Sequence, residues 1–180
     1  MSIGAKVGIP NIAGLSAEII TPLLDNRVAV FYDFSSFDIN PTDVKVGLSY
    51  SEFGANIYFK NKGEGAYVGI GFANLSTDLE FQNVSFEENG LRGVGAASGS
   101  QDLSTTNIKL GVKTGGRIYF RLELGYGFGD IPQEVEVSGS FIPEGQTNAI
   151  SGTETEEFPA IPGVGKNGTL IGNFGFGISF

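Results

Sequence analysis

Few residue types in this chain could do catalytic chemistry. The 180 residues include no His and no Cys. Without His there is no usual general base, no common zinc ligand and no Ser-His-Asp triad, and without Cys there is no thiolate. Serines are scattered along the chain with no base to activate them. We therefore expect no enzyme activity, no catalytic residues, no cofactor and no metal site.

One glycine motif has the form of a nucleotide-binding loop. Gly163, Gly165 and Gly168 match G-x-G-x-x-G. In dinucleotide-binding proteins this motif follows a strand and opens a helix. Here it follows Pro159 and Pro162 and leads into a strand-like segment. The context therefore argues against a dinucleotide site.

Acidic residues dominate the charge of the chain. Twenty Asp and Glu face 11 Lys and Arg, which leaves a formal net charge of −9 and makes nucleic acid an unsuitable partner. Many of the carboxylates lie in residues 38–43, 78–102 and 130–157. Two interpretations stay open, a divalent-cation site and a hydrated acidic surface. The second is favoured because no segment has the ligand spacing of an EF-hand.

Eight segments alternate large apolar residues with small or polar ones. This two-residue period predicts β-strands, and no segment has a helical period. Within the fourth segment the pattern changes parity near Ser51, which predicts a β-bulge there. The fifth shows a similar shift after Phe72. The segments are residues 2–9, 15–21, 27–34, 44–59, 66–81, 103–113, 118–128 and 169–180.

The connections between these segments alternate in length. Those after even-numbered segments are short, and those after odd-numbered segments are generally longer. Short turns at one end and long loops at the other are typical of transmembrane β-barrels, in which an even strand count places both termini at the turn end. The short connections are residues 22–26, 61–65 and 114–116, and the longer ones are 10–14, 35–43, 82–102 and 130–168.

The polar face of the segments combines charged side chains with many glycines. A soluble up-and-down barrel would expose this face to water, whereas a membrane barrel would turn it into the lumen. Glycine weakens a strand, so its abundance there favours a narrow lumen that must accommodate long side chains. We predict an ion-paired lumen network in which basic groups outnumber acidic ones, so that any leak would favour anions. Its members would be Lys6, Glu18, Asp33, Lys45, Lys109, Arg121 and Glu123.

The C-terminal segment carries a family resemblance. Phe174, Phe176, Ile178 and Phe180 alternate with small residues up to the last position. This ending resembles the terminal strand of bacterial outer-membrane β-barrels. In that family the assembly machinery recognises this strand, which implies an assembly signal at Phe176, Ile178 and Phe180. The ending and the acidic loops also resemble small proteins of the Bacteroidetes type.

The resemblance implies a location and partners. We expect the outer membrane of a Gram-negative bacterium, with its lipid, its lipopolysaccharide and the assembly machinery as partners. No signal peptide precedes the first segment, so we expect that one was removed and that Met1 was added.

The sequence thus predicts an all-β fold, an eight-stranded antiparallel up-and-down transmembrane barrel, as one domain over residues 1–180. Eight strands leave room inside for side chains or one small ligand. The first functional hypothesis is a non-enzymatic structural anchor whose loops, residues 83–102 and 131–168, contact an external protein partner or surface. The alternative is a narrow channel or small-ligand carrier through the lumen.

Overall fold

The computed structural model describes residues 1–40, 44–88, 91–132, 134–143, 145, 148–157 and 164–180. These residues are almost entirely β-strand, with one short 3-10 turn at Asn61–Gly63. No helix in the described ranges is long and apolar enough to span a membrane. The strands are β1 (Ser2–Ile9), β2 (Ile12–Ile20), β3 (Val28–Ile39), β4 (Val44–Tyr58), β5 (Gly65–Glu88), β6 (Leu91–Lys113), β7 (Ile118–Phe128), β8 (Glu134–Pro143), β9 (Ile150–Glu157), β10 (Val164–Gly165) and β11 (Gly168–Ser179).

Eight of these strands close into an antiparallel barrel. Strands β1 to β7 pair in sequence, β7 pairs with β11, and β11 returns to pair with β1. Closure leaves no free edge around the wall, as a membrane-spanning sheet requires. The predicted eight-stranded antiparallel barrel is therefore confirmed.

The β-bulge predicted near Ser51 is wrong. The pairing of β4 with β5 runs without a shift from Val44 opposite Phe81 to Tyr58 opposite Tyr67. Buried Tyr50 and Glu52 belong to the same inward face of β4. The pattern changes parity because the interior changes from polar to apolar along the strand, while the strand itself continues regularly.

The longer connections are mostly strand in their described parts. β5 and β6 extend to Glu88 and Leu91, and β8 pairs with the extension of β6 and with β9. The first connection shrinks to a turn at Pro10 and Asn11. Of residues 35–43, 35–39 belong to β3, and 41–43 lie outside the described residues. The sequence did not predict these extensions because small and polar residues interrupt their apolar alternation, and backbone pairing does not require a continuous apolar face.

The outer wall of the barrel is apolar. On β7 the outward residues Ile118, Leu122 and Leu124 are 68%, 54% and 62% exposed, while inward Arg121 and Glu123 are buried. We call the belt formed by these residues and their outward neighbours on the other barrel strands the apolar band. A soluble barrel has the reverse arrangement, so the band identifies the outer wall as the lipid-facing one.

We expect the protein to refold only in detergent or lipid. In water the apolar band would leave a large contiguous apolar surface exposed, which soluble monomers avoid. On a gel without boiling, the refolded protein should migrate differently from a boiled sample. A monodisperse, folded sample in plain buffer would contradict the assignment of the band to lipid.

Candidate functional site

Charged side chains fill the half of the lumen next to the short turns. We call this set the charged layer. Each member is at most 3% exposed, and the set contains four cations and four anions. They project inward from β1, β2, β3, β4, β6 and β7, so the barrel wall alone brings them together. The members are Lys6, Lys109, Lys113, Arg121, Glu18, Asp33, Glu52 and Glu123.

Glu18 is the most heavily bonded acid of the charged layer. Lys113 Nζ lies 2.6 Å from its Oε1, and Arg121 Nη2 lies 2.6 Å from its Oε2. The Tyr58 hydroxyl and Asn56 Nδ2 also donate to Oε2, at 2.8 and 3.0 Å. A buried carboxylate needs such partners because isolated charge is costly away from water.

Lys6 connects two acids on opposite sides of its own strand. Its Nζ lies 2.6 Å from Asp33 Oδ2 and 2.6 Å from Glu123 Oε2. The other oxygen of Glu123 accepts a 2.5 Å hydrogen bond from the Tyr67 hydroxyl. Since these residues come from β3, β7 and β5, the network crosses the barrel axis.

Lys109 completes the charged layer beside the ring of Phe31. Its Nζ lies 2.9 Å from Glu52 Oε2, 3.9 Å from Asp33 Oδ2 and 4.1 Å from the ring centroid. The Tyr50 hydroxyl donates to the same Glu52 oxygen at 2.9 Å. Lys109 thus has two acids and an aromatic face as partners, as a fully buried ammonium group requires.

Two glycines make room for these side chains. A Cβ at Gly111 would clash with the Tyr67 ring, and one at Gly71 would clash with the Glu52 carboxylate. Because these inward positions have no side chain, the ring and the carboxylate can lie directly against the backbone of the neighbouring strand. This is the role that the glycine-rich polar face predicted.

An apolar layer lies next to the charged layer, on the side away from the short turns. Its buried members are at most 8% exposed and form one cluster, against which Leu48 packs. This layer could not be recognised from the sequence pattern because its residues match the lipid-facing pattern. The available signal was the parity change on β4 and β5. The members are Tyr50, Ala73, Leu75, Leu103 and Ile131.

Six of the seven candidate lumen residues lie in the charged layer, and Lys45 does not. The Lys45 side chain is 53% exposed and its Nζ lies 3.2 Å from Glu80 Oε2, which is also exposed. Lys45 has the opposite parity from Glu52, and without a bulge it must point outward. Its assignment to the lumen was therefore wrong.

Two other residues of the charged layer, Glu52 and Lys113, share the parity of their inward neighbours on β4 and β6. With Lys113 inside and Lys45 outside, cations and anions balance at four each. The expected excess of basic groups in the lumen is absent from the charged layer. The lumen charge consequently gives no reason for anion preference.

The expected assembly signal lies on the outer wall, and the described part of the glycine motif lies at the junction of two strands. Phe176, Ile178 and Phe180 point outward, and the Phe180 amide donates to the Met1 carbonyl at 2.8 Å, so the termini meet. In the described part of the glycine motif, Gly165 ends β10 and Gly168 begins β11, so a strand follows. Within the described ranges no group of three acidic side chains could hold a metal ion.

Comparison with known proteins supports the fold. No protein-family model matches the sequence, and no curated protein matches it. The crystal structure of Acinetobacter baumannii CarO, an outer-membrane β-barrel, matches with a TM-score of 0.54 at 14% identity, over 99% of this chain and 97% of that chain. The chain thus has the fold of an outer-membrane barrel, and the match does not support the Bacteroidetes type.

Proposed function

We propose that this barrel is a closed, non-enzymatic anchor in the outer membrane of a Gram-negative bacterium. The observation that carries the proposal is the charged layer, in which four cations and four anions are linked across the lumen and are almost fully buried. The apolar layer above it adds a second obstruction. Ions would have to break several buried ion pairs and then pass an apolar constriction, and both steps are costly.

A sheet extends beyond the apolar band and would face the outside of the cell. β5 and β6 pair up to Glu88 and Leu91, and β8 and β9 widen this sheet. Its outward face carries exposed acidic residues with Lys45 among them. We propose that this face contacts a basic protein partner, or lipopolysaccharide through bridging divalent cations. The acidic residues are Asp38, Asp78, Glu80, Asp102, Glu134 and Glu136.

Single-channel recording in a planar bilayer tests the closed-barrel proposal. We expect no steady conductance, with at most rare openings of small amplitude, because ions would have to break the buried ion pairs of the charged layer. Glu80→Gln serves as a control, because this residue pairs with Lys45 outside the lumen. Stable, large, ohmic conductance of the unmodified protein would overturn the proposal.

A second candidate function is a narrow channel or small-ligand carrier. It is favoured by polar atoms in the charged layer that make no hydrogen bond to other described residues. These are Asp33 Oδ1, Glu52 Oε1, and Nε and Nη1 of Arg121. Buried polar atoms of this kind normally bind water, and hydration would ease rearrangement of the ion pairs. Single-channel recording distinguishes the two functions, because stable conductance of the unmodified protein would favour the channel over the closed barrel.

A further inference from the structure

A row of outward side chains crosses four neighbouring strands. Phe53 of β4 pairs with Phe72 of β5, Phe72 with Thr106 of β6, and Thr106 with Phe128 of β7. Directly paired residues of a sheet point to the same face, so these four side chains stand side by side on the lipid-facing wall. The three Phe residues are more than half exposed. Thr106 is the short member of the row, and a notch lies over it.

The notch is an open depression on the outer wall with an uncharged lining. The space over it measures about 480 Å³. Phe72 and Phe128 form its walls, and Asn74 and Ser104 line its upper rim. Neither these residues nor the others that line the notch carry a charge. The site therefore suits the uncharged part of a ligand.

The notch lies at the outer boundary of the apolar band. On β5 the outward residues change from Ile70 and Phe72 to Asn74, and on β6 they change from Ile108 to Ser104. The walls of the notch consequently face the hydrocarbon, while its rim offers hydroxyl and amide groups at the level of lipid headgroups. Phe72 and Phe128 are two strand spacings apart, roughly 10 Å, which admits one acyl chain.

The barrel wall is also irregular at this place. β6 pairs with β7 from Thr106 downward and with β8 only from Gly99 upward. Within the described ranges, residues 100–105 of β6 are not paired on this side. Beyond Phe128 the amides of Gly129 and Ile131 donate to the carbonyls of Asn167 and Lys166, on the side of β7 that faces away from β6. The ladder between β6 and β7 thus ends at the row that forms the notch.

We propose that the notch over Thr106 binds one acyl chain of an outer-leaflet lipid. The chain would lie between the Phe72 and Phe128 rings, and the polar junction between chain and headgroup would accept a hydrogen bond from Asn74 Nδ2. Asn74 Oδ1 itself accepts from the Ser104 hydroxyl at 3.4 Å. Asp102 and Asp130 lie beyond this rim in sequence and would disfavour direct contact with a phosphate. The proposal goes beyond the anchoring role and holds whether or not the lumen conducts.

The lack of Trp in this chain provides a clean test. A single reporter, Phe72→Trp, would be placed at the notch, and Phe34→Trp, three strands from Thr106 near the same membrane boundary, would serve as reference. Brominated lysophosphatidylcholine, a single-chain quencher, would be added to vesicles of unlabelled phosphatidylcholine. We expect half-quenching of the notch reporter at a roughly fivefold lower mole fraction than for the reference, equivalent to about 1 kcal/mol.

Two further variants make the test specific. Thr106→Phe fills the notch without adding charge and should remove the excess quenching at the Phe72→Trp reporter. Leu110→Phe adds the same ring to the outward face of β6, four residues away, and should leave the excess unchanged. Should Thr106→Phe fail the heat-modifiability assay, Phe128→Ala removes a wall and should lower the excess instead.

Three outcomes would overturn the proposal. The first is identical quenching curves for the two reporters. The second is excess quenching that persists when the notch is filled, because the quencher would then bind elsewhere. The third is a dimer in vesicles that Thr106→Phe converts to a monomer, because a second copy of the chain would then be the occupant.

Discussion

Replacing Glu18 with Ala should lower the free energy of unfolding of the barrel by about 3–5 kcal/mol, because a broken buried ion pair leaves charge without compensation. Glu18 is 2% exposed and binds both Lys113 and Arg121 at 2.6 Å. After its removal Lys113 would keep the Ser2 hydroxyl at 2.8 Å. Among the described residues, the acid left to pair with Arg121 would be Glu123, at 4.0 Å. This is the largest loss that a single substitution in the charged layer should produce.

The measurement is a denaturant titration in detergent micelles, followed by the gel shift and by circular dichroism. Glu80→Gln is the matched control, since it breaks an ion pair whose side chains are more than half exposed. Such a pair contributes about 0–1 kcal/mol. Equal losses for the two variants would mean that Glu18 is not buried as described.

The same variant should change the behaviour of the lumen. Removal of Glu18 leaves four cations against three anions in the charged layer and adds free space beside Arg121. We therefore expect brief openings in a planar bilayer that favour anions, and none of this kind for Glu80→Gln. Openings that favour cations would contradict the charge balance described for the lumen.

Leu122→Arg should severely impair insertion of the barrel, at a cost of roughly 2–4 kcal/mol for a cation near the bilayer midplane. Leu122 lies in the middle of the outward residues of β7 and is 54% exposed. Its side chain has no polar neighbour on the lipid-facing wall of that strand. The expected result is a smaller folded fraction on the gel after refolding into vesicles, together with a lower denaturation midpoint.

Ile118→Arg is the matched control for depth. Ile118 is 68% exposed on the same face of β7, but it lies at the first residue of the strand, at the turn end. An arginine near the membrane interface costs only about 0–1 kcal/mol. The same impairment in both variants would show that the depth assigned to β7 is wrong.

The architecture could be predicted from the sequence alone. Alternation with a period of two identified the eight barrel strands, because neighbouring residues of a strand point to opposite faces. Charge on one face and apolar residues on the other, as on β7, separated the inside from the outside. Six of the seven candidate lumen residues were found in this way, because parity is a local property.

The length of each strand and the contacts of each inward side chain, in contrast, depend on the three-dimensional fold. Lys45 was misplaced because a strand whose interior becomes apolar produces the same pattern as a strand with a bulge. The apolar layer around Leu75 and Leu103 was missed for the same reason. The strand extensions beyond the barrel depend on backbone pairing with a neighbouring strand. Small and polar residues allow this pairing without producing a continuous apolar pattern in the sequence. The extended strands are β5, β6, β8 and β9.

The ion pairs and the notch required the registers between strands. Lys6 meets Glu123 from 117 positions away along the chain, and Phe72, Thr106 and Phe128 form one row only through two strand pairings. Alternation fixes which face a residue occupies, but it contains no information on the register between neighbouring strands. The register is set when the barrel closes, because every strand must then satisfy the hydrogen bonds of two neighbours at once.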